Sequence, residues 1–374
     1  MFRSGSIQSH LTLRDKIFSL DLTLTICIFL IGIISFFAMY STDGGQFAYH
    51  TKSHIIRFII FFTLFFVISF IKTSFWYGSA TIFYLGVLFL LILVKYVGLT
   101  SSGSQRWLDL YFLNLQPSEL MKIGLILFLA KYYHKISSGD VNKFRYLAQP
   151  LLALLFPVIL VITQPDLGTS FLIAVGGVIV VWLAGVKMKF FVYLGGLFLL
   201  SAPVAISFLK PYQKSRILTF LDPSRDPLGA GYQITQSKIA IGSGGLFGKG
   251  FLDGSQSYLD YLPEKHTDFI FTLFSEEFGF FGSMTILFIY ILITWRIVNI
   301  GHTLRTSFGR LYCYSFATAF FIYVAVNMGM VLGLIPIVGA PLPIMSYGGS
   351  SMMAIMIGLG IVMSCKIHKD QSLG

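Results

Sequence analysis

The sequence predicts an all-α polytopic membrane protein with about ten transmembrane helices, both termini cytoplasmic and one long extracytoplasmic loop. Three observations carry that prediction. Only 11% of the 374 residues are charged and 55% are hydrophobic, whereas a soluble domain carries about 25% charged residues. Mean hydropathy is +0.78. Apolar runs recur along the chain, each near the roughly 20 residues a helix needs to cross the hydrocarbon core. Together these exclude a cytosolic enzyme, a disordered chain and a secreted disulfide scaffold.

The apolar periodicity places the spans at about Leu20–Tyr40, Ile55–Ile71, Tyr77–Gly98, Ser118–His134, Leu147–Thr163, Gly168–Val186, Phe190–Phe208, Asp268–Ile293, Leu311–Leu334 and Met345–Cys365. No small-residue cleavage site follows the first run, so it reads as an uncleaved anchor. The 38 Phe and 19 Tyr suit lipid-facing helices and interfacial belts. Orientation follows from charge. One set of ends carries Arg3, Arg14, Lys16, Lys72, Lys131, Lys135, Lys143, Arg145, Lys187, Lys189, Arg296, Arg305, Arg310, Lys366 and Lys369, while the opposite short loops carry only Lys52 and Arg106, with Arg57 and Lys95 just inside the adjoining span ends. By the positive-inside rule the basic ends are cytoplasmic. The formal net charge of +11 therefore reads as orientation and anionic-lipid contact, with no nucleic-acid partner.

The expected organisation is a cytoplasmic tail over 1–19, a single ten-helix transmembrane domain over 20–368 and a cytoplasmic tail over 369–374. Within the domain, 209–267 forms a long extracytoplasmic loop between the seventh and eighth spans. Its length exceeds that of a plain connector, and Gly229-Ala-Gly-Tyr232, the run Gly242–Gly250, and Tyr258, Tyr261 and Leu262 read as turns and packing residues of an ordered segment.

Several chemistries fail on spacing. Gly242–Gly250 resembles a phosphate-binding loop, but Ser243 stands where the first glycine belongs and Gly250 replaces the Ser/Thr. No Asp-x-Asp, His-Glu-x-x-His or Gly-x-Ser-x-Gly is present. What remains is a set of ionisable residues in or beside the spans, expensive in lipid and functional by default. Glu119 and Lys122 share a helical face at i, i+3, where they pair structurally, line a polar cavity, or both. Four helices begin with polar chemistry on the outer side: Gln116-Pro-Ser-Glu119, Gln164-Pro-Asp166, Glu264-Lys-His-Thr-Asp268 and Ser346-Tyr-Gly-Gly349. Asp166 and Ser346 suit helix starts. These N-termini, with Arg106, Arg216, Lys238, Lys249 and Lys265, could hold a diphosphate headgroup. Asp268 is either an N-terminal cap or a partly desolvated general base, with Glu264, Lys265 and His266 beside it.

At these residues the sequence resembles the SEDS family of peptidoglycan glycosyltransferases. The matching runs are Gly103-Ser-Gln-Arg-Trp-Leu108, Gln116-Pro-Ser-Glu119, Gln164-Pro-Asp-Leu-Gly-Thr-Ser170, Leu262-Pro-Glu-Lys-His-Thr-Asp-Phe-Ile-Phe271, Glu276-Glu-Phe-Gly279 and Pro341-Leu-Pro-Ile-Met-Ser-Tyr-Gly-Gly-Ser350. Asp222-Pro-Ser-Arg-Asp-Pro-Leu-Gly-Ala-Gly-Tyr232 and the Gly-Ser-Gly-Gly form at 242–245 are similar to the elongation branch rather than the division branch. The resemblance implies lipid II as donor and a growing glycan strand as acceptor, joined at the outer face of the bacterial inner membrane. It places the catalytic carboxylate on Asp268, a supporting pair on Glu119 and Lys122, and an outer-motif tryptophan on Trp107. It also implies a class B penicillin-binding protein (a transpeptidase) as partner among other elongation-complex membrane proteins. A divalent cation, Mg²⁺ or Mn²⁺, is implied with its ligands left open, and no nucleotide, haem or flavin. A lipid-linked precursor flippase and a non-catalytic scaffold of the cell-wall complex are the rival readings.

Overall fold

The computed structural model describes residues 12–101, 104–109, 114–137, 139–208, 211–226, 229–255 and 264–373. Tyr258, Tyr261 and Leu262 lie outside the described residues. A short helix α1 (Leu13–Phe18) precedes α2 (Leu22–Thr42), α3 (Tyr49–Phe70) and α4 (Thr73–Val97). Three short antiparallel strands follow in the order β1 (Leu99–Ser101), β2 (Ser104–Asp109) and β3 (Asn114–Leu115). Next come α5 (Pro117–His134), α6 (Phe144–Thr163), α7 (Leu167–Leu183), α8 (Met188–Phe208), α9 (Pro211–Leu221) and α10 (Ala230–Ser243). The chain closes with α11 (Ile270–Thr303), α12 (Ser307–Val331) and α13 (Gly349–Ile367).

Each of the ten predicted apolar segments falls on a helix, α2–α8 and α11–α13. Seven helices are long and apolar enough to cross a membrane; α7 is apolar but shorter, and α5 carries the three charges Glu119, Lys122 and Lys131. The fold is therefore that of a polytopic helical membrane protein. Its centre is α13 and α5, whose residues are mostly buried. Here α13 packs most extensively on α3, and α5 on α4 and α7. Helices gain little hydrophobic drive from leaving lipid, so close contact comes from small residues. Gly358 sits against the Phe316 ring and Gly360 against Ile68. The outer faces of α2, α3, α4 and α8 present Phe29, Ile59, Phe89 and Leu200 outward.

Charge separates the two ends of the bundle. Asp21, which caps α2 through the Leu24 amide at 2.9 Å, also takes Lys366 at 2.6 Å and Arg296, joining three helices at the basic end. Lys16 donates to the Phe70 carbonyl at 2.8 Å on the same end. The opposite end carries the polar helix starts.

Two predicted elements differ from what forms. The segment 209–267, read as one ordered loop with turns at 229–232, is largely helical in its described part: α9, a 3₁₀ turn (Pro223–Arg225) and α10. Gly229–Tyr232 opens α10 rather than making a turn of its own. Its sequence AGYQITQSKIAIGS lacks a continuous apolar stripe, so α10 forms through tertiary contact. Ser237 donates to the Val331 carbonyl at 2.6 Å and pairs with Thr272 at 2.7 Å, while Ile234 and Ala240 are buried.

The eighth span, read as one helix over Asp268–Ile293, is broken at Gly279 (φ 65°, ψ −160°) and continues to Thr303. A break within a membrane span strands backbone groups that lipid cannot satisfy. The Gly242–Gly250 run satisfies them. Lys249 N donates to the Glu276 carbonyl at 3.0 Å and Gly250 N to Glu277 at 3.1 Å. In return, Phe280 N donates to Gly245 at 2.9 Å and Phe281 N to Leu246 at 3.2 Å. A Cβ at Gly248 would lie 2.0 Å from the Glu277 carbonyl oxygen. The glycines that mimic a phosphate loop in sequence are instead the surface against which this broken helix closes.

Candidate active site

Asp268 lies two residues before α11, at the mouth of the bundle. Its backbone carbonyl accepts from Asn327 Nδ2 at 2.9 Å, and the same nitrogen donates to the Ala340 carbonyl at 2.6 Å. Asn327 thus fastens Asp268 to the segment between α12 and α13. That segment passes close by: a Cβ on Gly339 would stand 3.6 Å from Asp268 Oδ2. Its Ile344 is held at φ 68°, a strained conformation for a β-branched residue, of the kind that concentrates at functional sites.

The carboxyl is enclosed by protein, and burial is the chief reason its pKa is pushed up to about 7. The charges of Glu264 and Asp166 raise it further, while the Arg216 guanidinium opposes them. A carboxyl at that value can both release and accept a proton at neutral pH.

The same segment also meets Arg216 and the start of α7. Arg216, exposed on α9, donates from Nη1 to the Ile337 carbonyl at 3.1 Å. Gly168, in the first turn of α7, approaches so closely that a Cβ there would lie 2.2 Å from the Val338 carbonyl oxygen. Asp166 caps α7 through the Thr169 amide at 3.0 Å, as a helix start should. It also receives Gln116 Nε2 at 3.2 Å and lies 3.6 Å from Arg106 Nη1. Arg106 completes this tie by donating to the carbonyls of Gln164 (3.2 Å) and Pro165. Trp107 stands next to it on β2, half-buried and paired in register with Leu99. Ser346 accepts from the Leu342 amide at 2.7 Å, closing the turn before α13. The Tyr347 amide donates to the His266 carbonyl at 2.8 Å. Glu264 accepts from the Thr267 hydroxyl at 2.8 Å, and Lys265 is half-buried between them.

Below this mouth lies the pair on α5. Lys122 Nζ meets Glu119 Oε2 at 2.8 Å and sits 3.8 Å from the centre of the Tyr323 ring. The Tyr323 hydroxyl reaches Glu119 Oε2 at 3.5 Å and Ser351 at 3.2 Å. Glu119, Lys122 and Tyr323 line a cavity whose other walls include Leu172, Phe316 and Ile355. The pair is thus both an ion pair and a cavity wall. Tyr323 and Asn327 are four residues apart on α12, so the buried pair and the Asp268 segment are joined by one helix face.

Two predicted cations lie elsewhere. Lys249 is bound to Glu276 at 2.6 Å and to Ser255 at 3.0 Å. Glu276 is eight residues past Asp268, about 12 Å at 1.5 Å per residue, so Lys249 braces the broken helix rather than the mouth. Lys238 lies against Gly333, after the end of α12. Sequence reasoning missed Asn327, Tyr323, Gln116 as a donor to Asp166, and the 335–340 stretch that runs past Asp268. Among the described residues, one His/carboxylate group could hold a metal ion: Asp43, His50 and His266.

Comparison with known proteins identifies the family. The family described as "cell cycle protein" (FtsW, RodA, SpoVE) matches residues 16–371. The chain is 40% identical over 359 residues, 96% of both chains, to the peptidoglycan glycosyltransferase MrdB of Escherichia coli K12. It is 35% identical over 335 residues to stage V sporulation protein E of Bacillus subtilis, covering 89% of this chain and 83% of that one. Among solved structures, a chain of a peptidoglycan synthase complex that coordinates polymerization and crosslinking superposes with TM-score 0.83 at 31% identity, over 94% of this chain and 99% of that one. The rod-shape-determining protein RodA of Thermus thermophilus gives TM-score 0.71 at 28% identity, over 94% and 98%. The chain belongs to the FtsW/RodA/SpoVE family of cell cycle proteins, the SEDS family.

Proposed function

We propose that this chain is a peptidoglycan glycosyltransferase of the elongation branch that polymerises lipid II into glycan strands at the outer face of the bacterial inner membrane, with Asp268 as general base. The observation that supports this most is the enclosed Asp268 carboxyl at the mouth of the helix bundle, its pKa near 7 and the Arg216 charge acting on it. In the reaction, Asp268 takes the proton from the acceptor sugar's 4-hydroxyl as that oxygen attacks the donor's anomeric carbon. The bond to the lipid diphosphate breaks and the diphosphate leaves with the electron pair. A positioned base contributes about 10²–10⁴-fold. Arg216, the cation whose charge acts on Asp268, and Lys265, three residues before it in the chain, oppose the charge that develops on the leaving group. Arg106 acts through Asp166, holding the α7 start in place. A divalent ion, Mg²⁺ or Mn²⁺, belongs to the same proposal and would supply further charge neutralisation. The proposed partner is a class B penicillin-binding transpeptidase, the kind of assembly the peptidoglycan synthase complex represents.

The test reconstitutes the purified protein, with and without such a partner, in vesicles containing labelled lipid II. Glycan strands formed by wild type and absent with Asp268→Asn support the proposal. Label crossing between leaflets without strand growth, in both proteins alike, overturns it in favour of a flippase.

A further inference from the structure

We propose that Asp43, His50 and His266 form a binding site for a first-row divalent transition-metal ion, Zn²⁺, that clips the ends of α2 and α3 to the segment bearing Asp268. The three donors come from three parts of the chain. Asp43 ends α2, His50 lies in the first turn of α3, and His266 lies between the 209–255 region and α11. Their ligand atoms all lie within 4.8 Å of one another. His266 Nε2 is 3.0 Å and His50 Nδ1 3.5 Å from the same oxygen, Asp43 Oδ1. An ion with bonds of about 2.0–2.1 Å in tetrahedral geometry sets its ligand atoms about 3.3 Å apart, so small side-chain adjustments admit one.

Hydrogen bonding alone does not explain this convergence. One imidazole at 3.0 Å satisfies Oδ1, and the second, at 3.5 Å, is beyond a good hydrogen bond. A cation between the three accounts for both rings. The surroundings are those of an outer shell that orients ligands. The Thr51 amide (2.9 Å) and hydroxyl (2.6 Å) occupy Asp43 Oδ2, which leaves Oδ1 facing the imidazoles. The two rings are stacked at 4.1 Å, and Tyr347 meets His50 edge-on at 5.2 Å. Asp43 is buried, whereas the His50 side chain is 41% exposed, so the fourth position opens to water. Two imidazole nitrogens with one carboxylate select a transition ion. Mg²⁺ and Ca²⁺ prefer oxygen ligands throughout.

Ion binding is measured without substrate, so this inference stands or falls independently of the role of Asp268. Full-length protein in detergent, stripped with a chelator, is titrated with ZnCl₂ and with MgCl₂ by calorimetry. One saturable Zn²⁺ site per chain is expected, unaffected by millimolar Mg²⁺. It should be lost in His50→Ala and Asp43→Asn, and weakened about 10–100-fold in Thr51→Ala, which removes an outer-shell partner. Absence of saturable binding, equal binding in the His50 and Asp43 variants, or displacement by Mg²⁺ overturns the proposal. Pulsed electron paramagnetic resonance of Cu²⁺-loaded wild type gives an answer that needs no variant to fold. Two coupled imidazole nitrogens support the site, and none or one refutes it.

Discussion

Replacing Asp268 by Asn should stabilise the protein while abolishing its activity, and the stabilisation should depend on pH in one direction. In the folded chain the carboxyl titrates near 7 rather than 3.8, chiefly through burial. A carboxyl raised on folding contributes stability that is fully present below its unfolded value and is lost as pH rises through its folded value. Wild type therefore carries a growing penalty from about pH 4 to pH 7, constant above that. At about 1.4 kcal/mol per unit, a shift of roughly three units gives an upper bound on the order of 4 kcal/mol. Asn keeps the shape, carries no ionisable group and escapes the penalty. Thermal unfolding in detergent, followed by intrinsic fluorescence at pH 5, 6, 7 and 8, should show Asp268→Asn melting above wild type by a margin that widens with pH. A margin that is the same at every pH, or a variant that melts lower at pH 8, refutes the reasoning. Stability would then not be traded for function at this position.

Glu119→Ala leaves Lys122 buried with only the Tyr323 ring beside it, and breaking a buried pair costs about 3–5 kcal/mol. Its melting temperature and yield of folded protein should fall sharply, whereas Glu119→Gln with Lys122→Met recovers much of the loss. Gly248→Ala places a Cβ 2.0 Å from the Glu277 carbonyl oxygen at φ 84°, so it should unfold at clearly lower temperature. Gly242→Ala, with nothing within 4 Å, should match wild type in the same melt. Asn327→Ala removes the donor shared by the Asp268 and Ala340 carbonyls. A polymerisation assay should show a lower kcat, with a stability loss of about 1–3 kcal/mol from the unpaired buried groups.

The placement of the apolar helices was legible in the sequence because a membrane span has one dominant signal, a long apolar run. Asp21 and Asp166 were also legible in kind, since a short acidic side chain before an apolar helix is a cap. The break at Gly279 was not. It depends on the Gly242–Gly250 segment returning its amides to Glu276 and Glu277, a long-range pairing with no local pattern. The same limit hid α10, which forms by packing on α11 and α12. In the candidate site, Asp268, Asp166 and Arg216 drew notice as charges near lipid. Asn327 and Tyr323 are neutral residues inside an apolar helix, and nothing in their spacing separates them from packing residues. Lys249 shows the opposite failure: a lysine in a glycine-rich outer segment looks free until its Glu276 partner, far along the chain, is seen.

The most direct test of the proposed role of Asp268 is the pH dependence of lipid II polymerisation, measured as kcat/KM, which reports ionisations of the free enzyme. The rate should climb along a single ionisation with an apparent midpoint near 7 and level off on the alkaline side. A rate that stays flat from pH 5.5 to 8.5, or strands made at the wild-type rate by Asp268→Asn, would contradict it.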